Sequence, residues 1–205
     1  SVGTSIAKFN KKGIPVFTAD IAANSGDVVC HIASDNKEGG RMAARALAEA
    51  LGDAGGKIVI IDHPAVMSVI DRMEGFKEEI KKHPSVEIVG VNPGWGQRAE
   101  SMQVMENYLQ SVPELDGVFA INDDTALGAL AAIQAAGKAG EIVIVGFDGT
   151  PEAREKIDQG LIYADSIQYP EQIGTLTIRA IACYFAGREV PKEIPVICGQ
   201  YGPKK

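Results

Sequence analysis

The chain has 205 residues, 45% of them hydrophobic, and 20 basic against 27 acidic side chains give a formal charge of -7. That composition supports a sizeable core in one large or two small domains of a soluble globular protein, and the acidic balance, with no Lys/Arg run longer than a pair, excludes a phosphate-tracking nucleic-acid surface. No apolar run reaches the roughly 18–20 residues of a membrane span, and the amino terminus lacks the charged-then-apolar layout of a secretory signal, so a cytosolic chain or one relieved of its leader is expected.

In chain order the pattern predicts helix 4–10, strands 14–19 and 28–33, helix 37–51, strand 57–62, helix 66–82, strand 86–91 and helix 98–109. There follow strand 118–121, helix 124–136, strand 142–147, helix 152–159, strand 162–167, helix 170–186 and strand 194–198. Met102, Met105 and Leu109 line one face of their helix at the 3.6-residue period. Gly137 falls where a left-handed helix end favours glycine, and Pro170 where a first helical turn tolerates a missing N–H. Regular strand–helix alternation predicts the α/β class, with parallel sheets and right-handed crossovers. The opening is unusual: a short helix comes before any strand, and strand 14–19 is apolar enough to need neighbours on both sides. The first lobe therefore reads as incomplete.

Motifs for enzyme chemistry are lacking. Gly39 and Gly40 do not form GxGxxG, nothing resembles a P-loop, and His31, His63 and His83 have no partner at metal-ligand spacing and no GxSxG elbow. No catalysis, cofactor or metal is expected. Cys30, Cys183 and Cys198 are an odd number, widely separated, and read as buried free thiols.

Two strands run apolar throughout and then stop on acceptor-bearing side chains, at Asn122 and at Asp148. Strands without polar alternation are buried on both faces, and their first polar residue marks the carboxyl edge where parallel sheets bind ligands. Asp20 and Gln168 fall at equivalent ends. Carboxylates accept charge-assisted hydrogen bonds and amides both donate and accept, which suits a polyol; equally, Asn and Asp cap helices and make turns. Trp95, in a Gly-rich loop, could cover the C–H face of a sugar ring or fill core. Arg72, early in its helix, needs an anionic partner: a ligand, or a neighbour such as Asp71 or Glu74.

The stretches Val29–Gly40, Arg72–Phe76, Ala120–Ala129, Val145–Pro151 and Gln168–Gly174 resemble, in order and spacing, the signatures of type I periplasmic sugar-binding proteins, nearest the ribose binders. The resemblance implies a two-lobed parallel-sheet fold, the second lobe over 35–166 and 194–205, the first over 1–34 and 167–193 with its amino-terminal part missing, and hinge crossings near 34–36, 165–168 and 193–195. It implies capture of a monosaccharide or polyol for the membrane permease of an ABC importer, in a periplasm or lipid-anchored outside the cell. Asp20, Arg72, Asn122, Asp148 and Gln168 match the family's sugar-contacting positions, Trp95 approximately. Ile21 stands where ribose binders carry Arg, which puts ribose itself in doubt. The same fold serves as the effector domain of LacI-type regulators, the rival implication. An incomplete first lobe further implies association with the missing segment or with a second copy.

Overall fold

The computed structural model describes residues 2–203, so residue 1 of the expected first lobe and residues 204–205 of the second lie outside it. The elements are α1 (Val2–Asn10), β1 (Phe17–Ala19), β2 (Cys30–Ser34), α2 (Asn36–Leu51), β3 (Gly56–Asp62), α3 (Met67–Ile80), β4 (Val86–Pro93) and α4 (Arg98–Ser111). They continue with β5 (Gly117–Ala120), α5 (Asp123–Ala135), β6 (Val143–Asp148), α6 (Pro151–Asp158), β7 (Ala164–Ile167), α7 (Pro170–Phe185), β8 (Glu193–Val196) and β9 (Gly199–Tyr201). The class is α/β, as the alternation predicts. Two compact units emerge, one running to Asp35 and resuming over Tyr169–Cys198, the other made of Asn36–Gln168 and the segment from Gly199.

The smaller unit is a parallel three-stranded sheet in the order β1-β2-β8. Cys30 and Ile32 of β2 pack with Val196 of β8 and with Ile173 and Ala180 of α7 to form its core. Helix α1 is tied down by a reciprocal pair, Asn10 Nδ2 donating to Asp27 O at 3.0 Å and Asp27 N to Asn10 Oδ1 at 2.8 Å. Strand β1 starts later than the expected Ile14, which is exposed. The reason is local: the Ile14 N–H closes the end of α1 on Phe9 O, and Pro15 has no N–H to offer a ladder. Within the described residues β1 has a neighbour on one side only, where its apolar composition suggests two. Residues 194–198 fall within the smaller compact unit. Strand β8 pairs with β2, Ile194 opposite Ile32, Asp35 N donates to Val196 O, and the chain leaves this unit between Cys198 and Gly199. Of the three thiols, Cys30 and Cys198 are buried, whereas Cys183 is only half-buried.

The larger unit carries a six-stranded sheet in the order β4-β3-β5-β6-β7-β9. All its pairings are parallel except β7 with β9. Strand alternation sends Val59, Ile61, Val118, Ala120 and Ile144 to one face, under α4 and α5, and Ile58, Ile60, Phe119, Ile121 and Val145 to the other, under α2 and α3. Both faces are covered, which is why the strands read as unbroken apolar runs. Helix α2 approaches α3 so closely that a Cβ on Gly40 would overlap Arg72 O and one on Gly75 would overlap Lys37 O. On α4 the buried face is Ser101, Met105 and Tyr108, with Met102 and Leu109 at its margins. After α5 the Gly137 and Lys138 N–H groups return to Gln134 O and Ile133 O, with Gly137 at φ 71°, the left-handed helix end expected there. Strand β7 begins at Ala164, not Ile162, because Leu161 and Ile162 donate to Lys156 O in closing α6.

Candidate functional site

From β3 the strand order runs one way to β4 and the other way through β5, β6 and β7. The crossovers on either side of β3 therefore diverge, and such a switch point opens a crevice at the carboxyl ends of the strands. Residues at or just past the ends of β3, β4, β5, β6 and β7 rim that edge in turn: His63, Trp95, Asn122, Asp148 and Gln168. Arg72 reaches it from α3.

Asp148 is the centre of the arrangement. It sits at φ 117°, a region that side chains rarely adopt, and is followed by Gly149 at φ 76°. It is not a helix cap, because the residue capping α6 is Thr150, whose side chain accepts from Ala153 N. The Asp148 carboxylate accepts from Gln168 Nε2 at 2.6 Å, from the Asp123 backbone N–H, and pairs with Arg72 Nη1 at 3.5 Å. Burial pushes its pKa up to about 6; the Asp123 charge adds to the rise, while Arg72 and the hydrogen bonds hold it back.

Arg72 is 5% exposed. Its Nε donates to Asn36 Oδ1 at 2.9 Å, its Nη1 to Ile121 O at 2.7 Å, and its guanidinium lies 3.7 Å from the Phe147 ring centroid. A cation early in α3 is thus compensated by groups from α2, the end of β5 and the end of β6 together.

Asn122 does cap α5, its Oδ1 accepting from Thr125 N at 2.9 Å, and its Nδ2 donates to Gly96 O at 3.2 Å. The capping reading is what the structure shows: one amide both starts the helix and holds the Trp95 loop. Trp95 itself is 47% exposed, so it fills no core. It stands at φ 55°, with its backbone N–H and that of Gly94 both on Asp62 O, and packs edge-to-face on His63 at 5.5 Å. An exposed indole in a fixed loop offers a flat apolar face. Asn122, Asp148 and Thr150 line an open cleft of about 400 Å³.

Five of the six residues expected from sequence thus share one edge of the larger unit. Asp20 belongs to the smaller unit, at the end of β1, with φ 69°, an exposed side chain, and its N–H on Ile32 O. Three contributors escape a sequence reading. Asn36 and Phe147 touch Arg72 only through the fold, and His63 declares itself only by the apolar strand it follows. Chemically, this edge carries a carboxylate held by an amide and a guanidinium, and a second amide that holds a loop bearing an exposed indole; hydroxyl groups suit the former and a C–H face the latter, and Asn122 and Asp148 are the two of these that line the cleft itself.

A family model described as a periplasmic binding protein domain matches residues 1–189. The chain belongs to this family. This periplasmic binding protein domain is 38% identical over 197 residues to the ribose import binding protein RbsB of Salmonella typhimurium, covering 96% of the chain and 66% of that protein. It is 34% identical to the D-apiose import binding protein of Paraburkholderia graminis, over 80% of the chain and 53% of that protein. Among solved structures, an ABC transporter solute-binding protein from Agrobacterium vitis bound to alpha-D-tagatopyranose superimposes with a TM-score of 0.91 at 28% identity, covering 98% of the chain and 71% of that protein. Another, from Actinobacillus succinogenes with bound D-allose, gives 0.89 at 27% identity, with 97% and 72% covered. The domain thus spans about two thirds of the length of the curated relatives it matches.

Proposed function

We propose that this domain captures a monosaccharide or a related polyol for an ABC-type importer, binding it without turning it over. The observation that carries the reading is the grip on Asp148, where Gln168 Nε2 at 2.6 Å and Arg72 Nη1 at 3.5 Å fix a carboxylate at the rim of a cleft beside Asn122. Relatives named for ribose and D-apiose import, and neighbours holding tagatose and allose, support a sugar as the ligand and a permease as the partner. They also favour a periplasmic or extracellular setting, with lipid anchoring a finer proposal within it. Arg72, Trp95, Asn122, Asp148 and Gln168 are the proposed contacts in the larger unit, and Asp20 the proposed contact in the smaller. The two units are proposed to be the lobes of the domain.

Selectivity would follow from buried acceptors. A sugar lacking the hydroxyl that meets Asp148 leaves the carboxylate desolvated and unpaired, at a cost of about 1–3 kcal/mol. Calorimetric titration with D-ribose, D-allose and D-tagatose tests the proposal: at least one should bind, and Asp148→Ala should weaken it by about 10- to 100-fold. Failure of all three with the unaltered chain, or an unchanged dissociation constant for Asp148→Ala, would overturn it.

A further inference from the structure

Beneath the rim lies a pair of acids that are not among the proposed sugar contacts, although one of them, Asp123, also lines the cleft. Asp165 of β7 is 1% exposed and Asp123, the first residue of α5, is 3% exposed. Among the described residues no protein N–H or O–H reaches either oxygen of Asp165 or the Oδ1 of Asp123. What Asp165 does meet, at side-chain hydrogen-bond range, is the carboxyl group of Asp123. Two ionised carboxylates in such contact would be acceptors facing acceptors in a medium that screens them poorly. The charged and titratable groups around them include Asp148 at the end of β6, which Arg72 pairs with, Arg154 of α6, Arg98 across the cleft from Asp123, and Tyr201 of β9 opposite Asp165 in the ladder. Tyr201 is directed elsewhere, its hydroxyl donating to Asp158 at 2.9 Å. Nor is the trio arranged for a cation: among the described residues no group of three ligating side chains could hold a metal ion.

Asp123 is also the residue that shapes the Asp148 turn. Its Oδ2 accepts from Thr150 N at 2.6 Å while its own backbone N–H donates to the Asp148 carboxylate. The turn between these two bonds contains the positive φ values of Asp148 and Gly149. Strand β6 leaves room for the acid below: Gly146 pairs with Asp165 in the ladder, and a Cβ there would overlap Asp165 Oδ1.

We propose that Asp165 and Asp123 share one proton as a hydrogen-bonded acid pair, and that this pair is a positioning device that holds the Asp148–Thr150 turn in the shape the ligand meets. The proton resides on Asp165, whose O–H donates to Asp123; burial and the neighbouring carboxylates push Asp165 well above the ordinary carboxylate range. Asp123 stays an acceptor, and its other oxygen remains on Thr150 N. When the pair loses its proton, repulsion drives the Asp123 carboxylate from Asp165 and slackens its hold on the turn. The part played by the ligand rests on the sugar-binding reading; the acid pair does not.

The experiment follows the Thr150 amide by NMR from about pH 6 to about pH 10 in the unaltered domain and in Asp165→Asn, whose amide donates to Asp123 at every pH. The Thr150 resonance should shift with a midpoint well above the ordinary carboxylate range in the parent and lose that step in Asp165→Asn. A flat resonance in the parent, or the same midpoint in the variant, would overturn the proposal. Infrared spectra of the parent alone provide a second reading that needs no variant. The C=O band of a buried neutral acid should be present at pH 7 and lost by about pH 10, and its absence at pH 7 would also overturn the pair. Titration with D-allose or D-ribose adds the functional consequence: raising the pH from 7 to about 10 should weaken binding several-fold more in the parent than in Asp165→Asn, and equal losses would refute the positioning role. If neither sugar binds the parent, the sugar reading fails by itself, while Thr150 still decides the pair.

Discussion

A single carboxylate, Asp148, brings most of the site's chemistry together, and its titration gives that chemistry a pH signature. Its folded pKa of about 6 lies above the ordinary value of 3.8. Below about pH 4 the group is protonated whether the chain is folded or not, and its contribution to stability is fully present. As pH rises through 6 the unfolded chain ionises first, so that contribution is lost across the window. Thermal unfolding followed from pH 4 to 7 should therefore show a smaller decline for Asp148→Asn than for the parent. Binding has the opposite sign, because an ionised carboxylate is the better acceptor for hydroxyl groups, so affinity for a bound sugar should climb as pH rises through about 6. Asn122, Asp148 and Gln168 were legible because each falls where a strand's run ends at the sheet edge, Trp95 because it stands in a Gly-rich loop, and Arg72 because a cation early in a helix needs a partner. Asp123 and Asp165 were not, since an acid beside Asn122 reads as a helix start and Asp165 sits within a strand. Their meeting depends on the pairing of β6 with β7 and on Gly146, which no local pattern reveals.

At the level of the elements, helix packing sets the position of Arg72. The backbone of α2 at Gly40 lies directly on Arg72 O, and Gly75 of α3 lies on Lys37 O, so two glycines permit a contact that no larger residue could. Asn36, at the start of α2, is thereby brought to Arg72 Nε at 2.9 Å. Gly40→Ala should cost about 1–3 kcal/mol through overpacking, measured by urea unfolding, and should weaken ligand binding as well because Arg72 shifts with α3. Every expected helix and strand exists, because an unbroken apolar run marks a strand covered on both faces and the 3.6-residue period marks a helix buried on one. The differences lie at ends, where Ile14 and Ile162 are apolar but serve helix closure. One strand was wholly unforeseen: β9 is three residues long and has no apolar run to announce it.

Across the whole molecule, that last strand covers one side of the larger unit's sheet. On the far side, β4 has an alternating burial pattern and ends on Pro93, which cannot extend a ladder. On the near side, β9 runs antiparallel along β7, with Tyr201 opposite Asp165, Gln200 opposite Ser166 and Gly199 opposite Ile167. Ending the chain at Cys198 would bare the β7 backbone and admit solvent beside Asp165, and light scattering should then report self-association at concentrations where the full chain stays dispersed. The three-residue strand laid along β7 would then act as a gasket, shielding that backbone from neighbouring molecules and keeping the pocket's foundations dry.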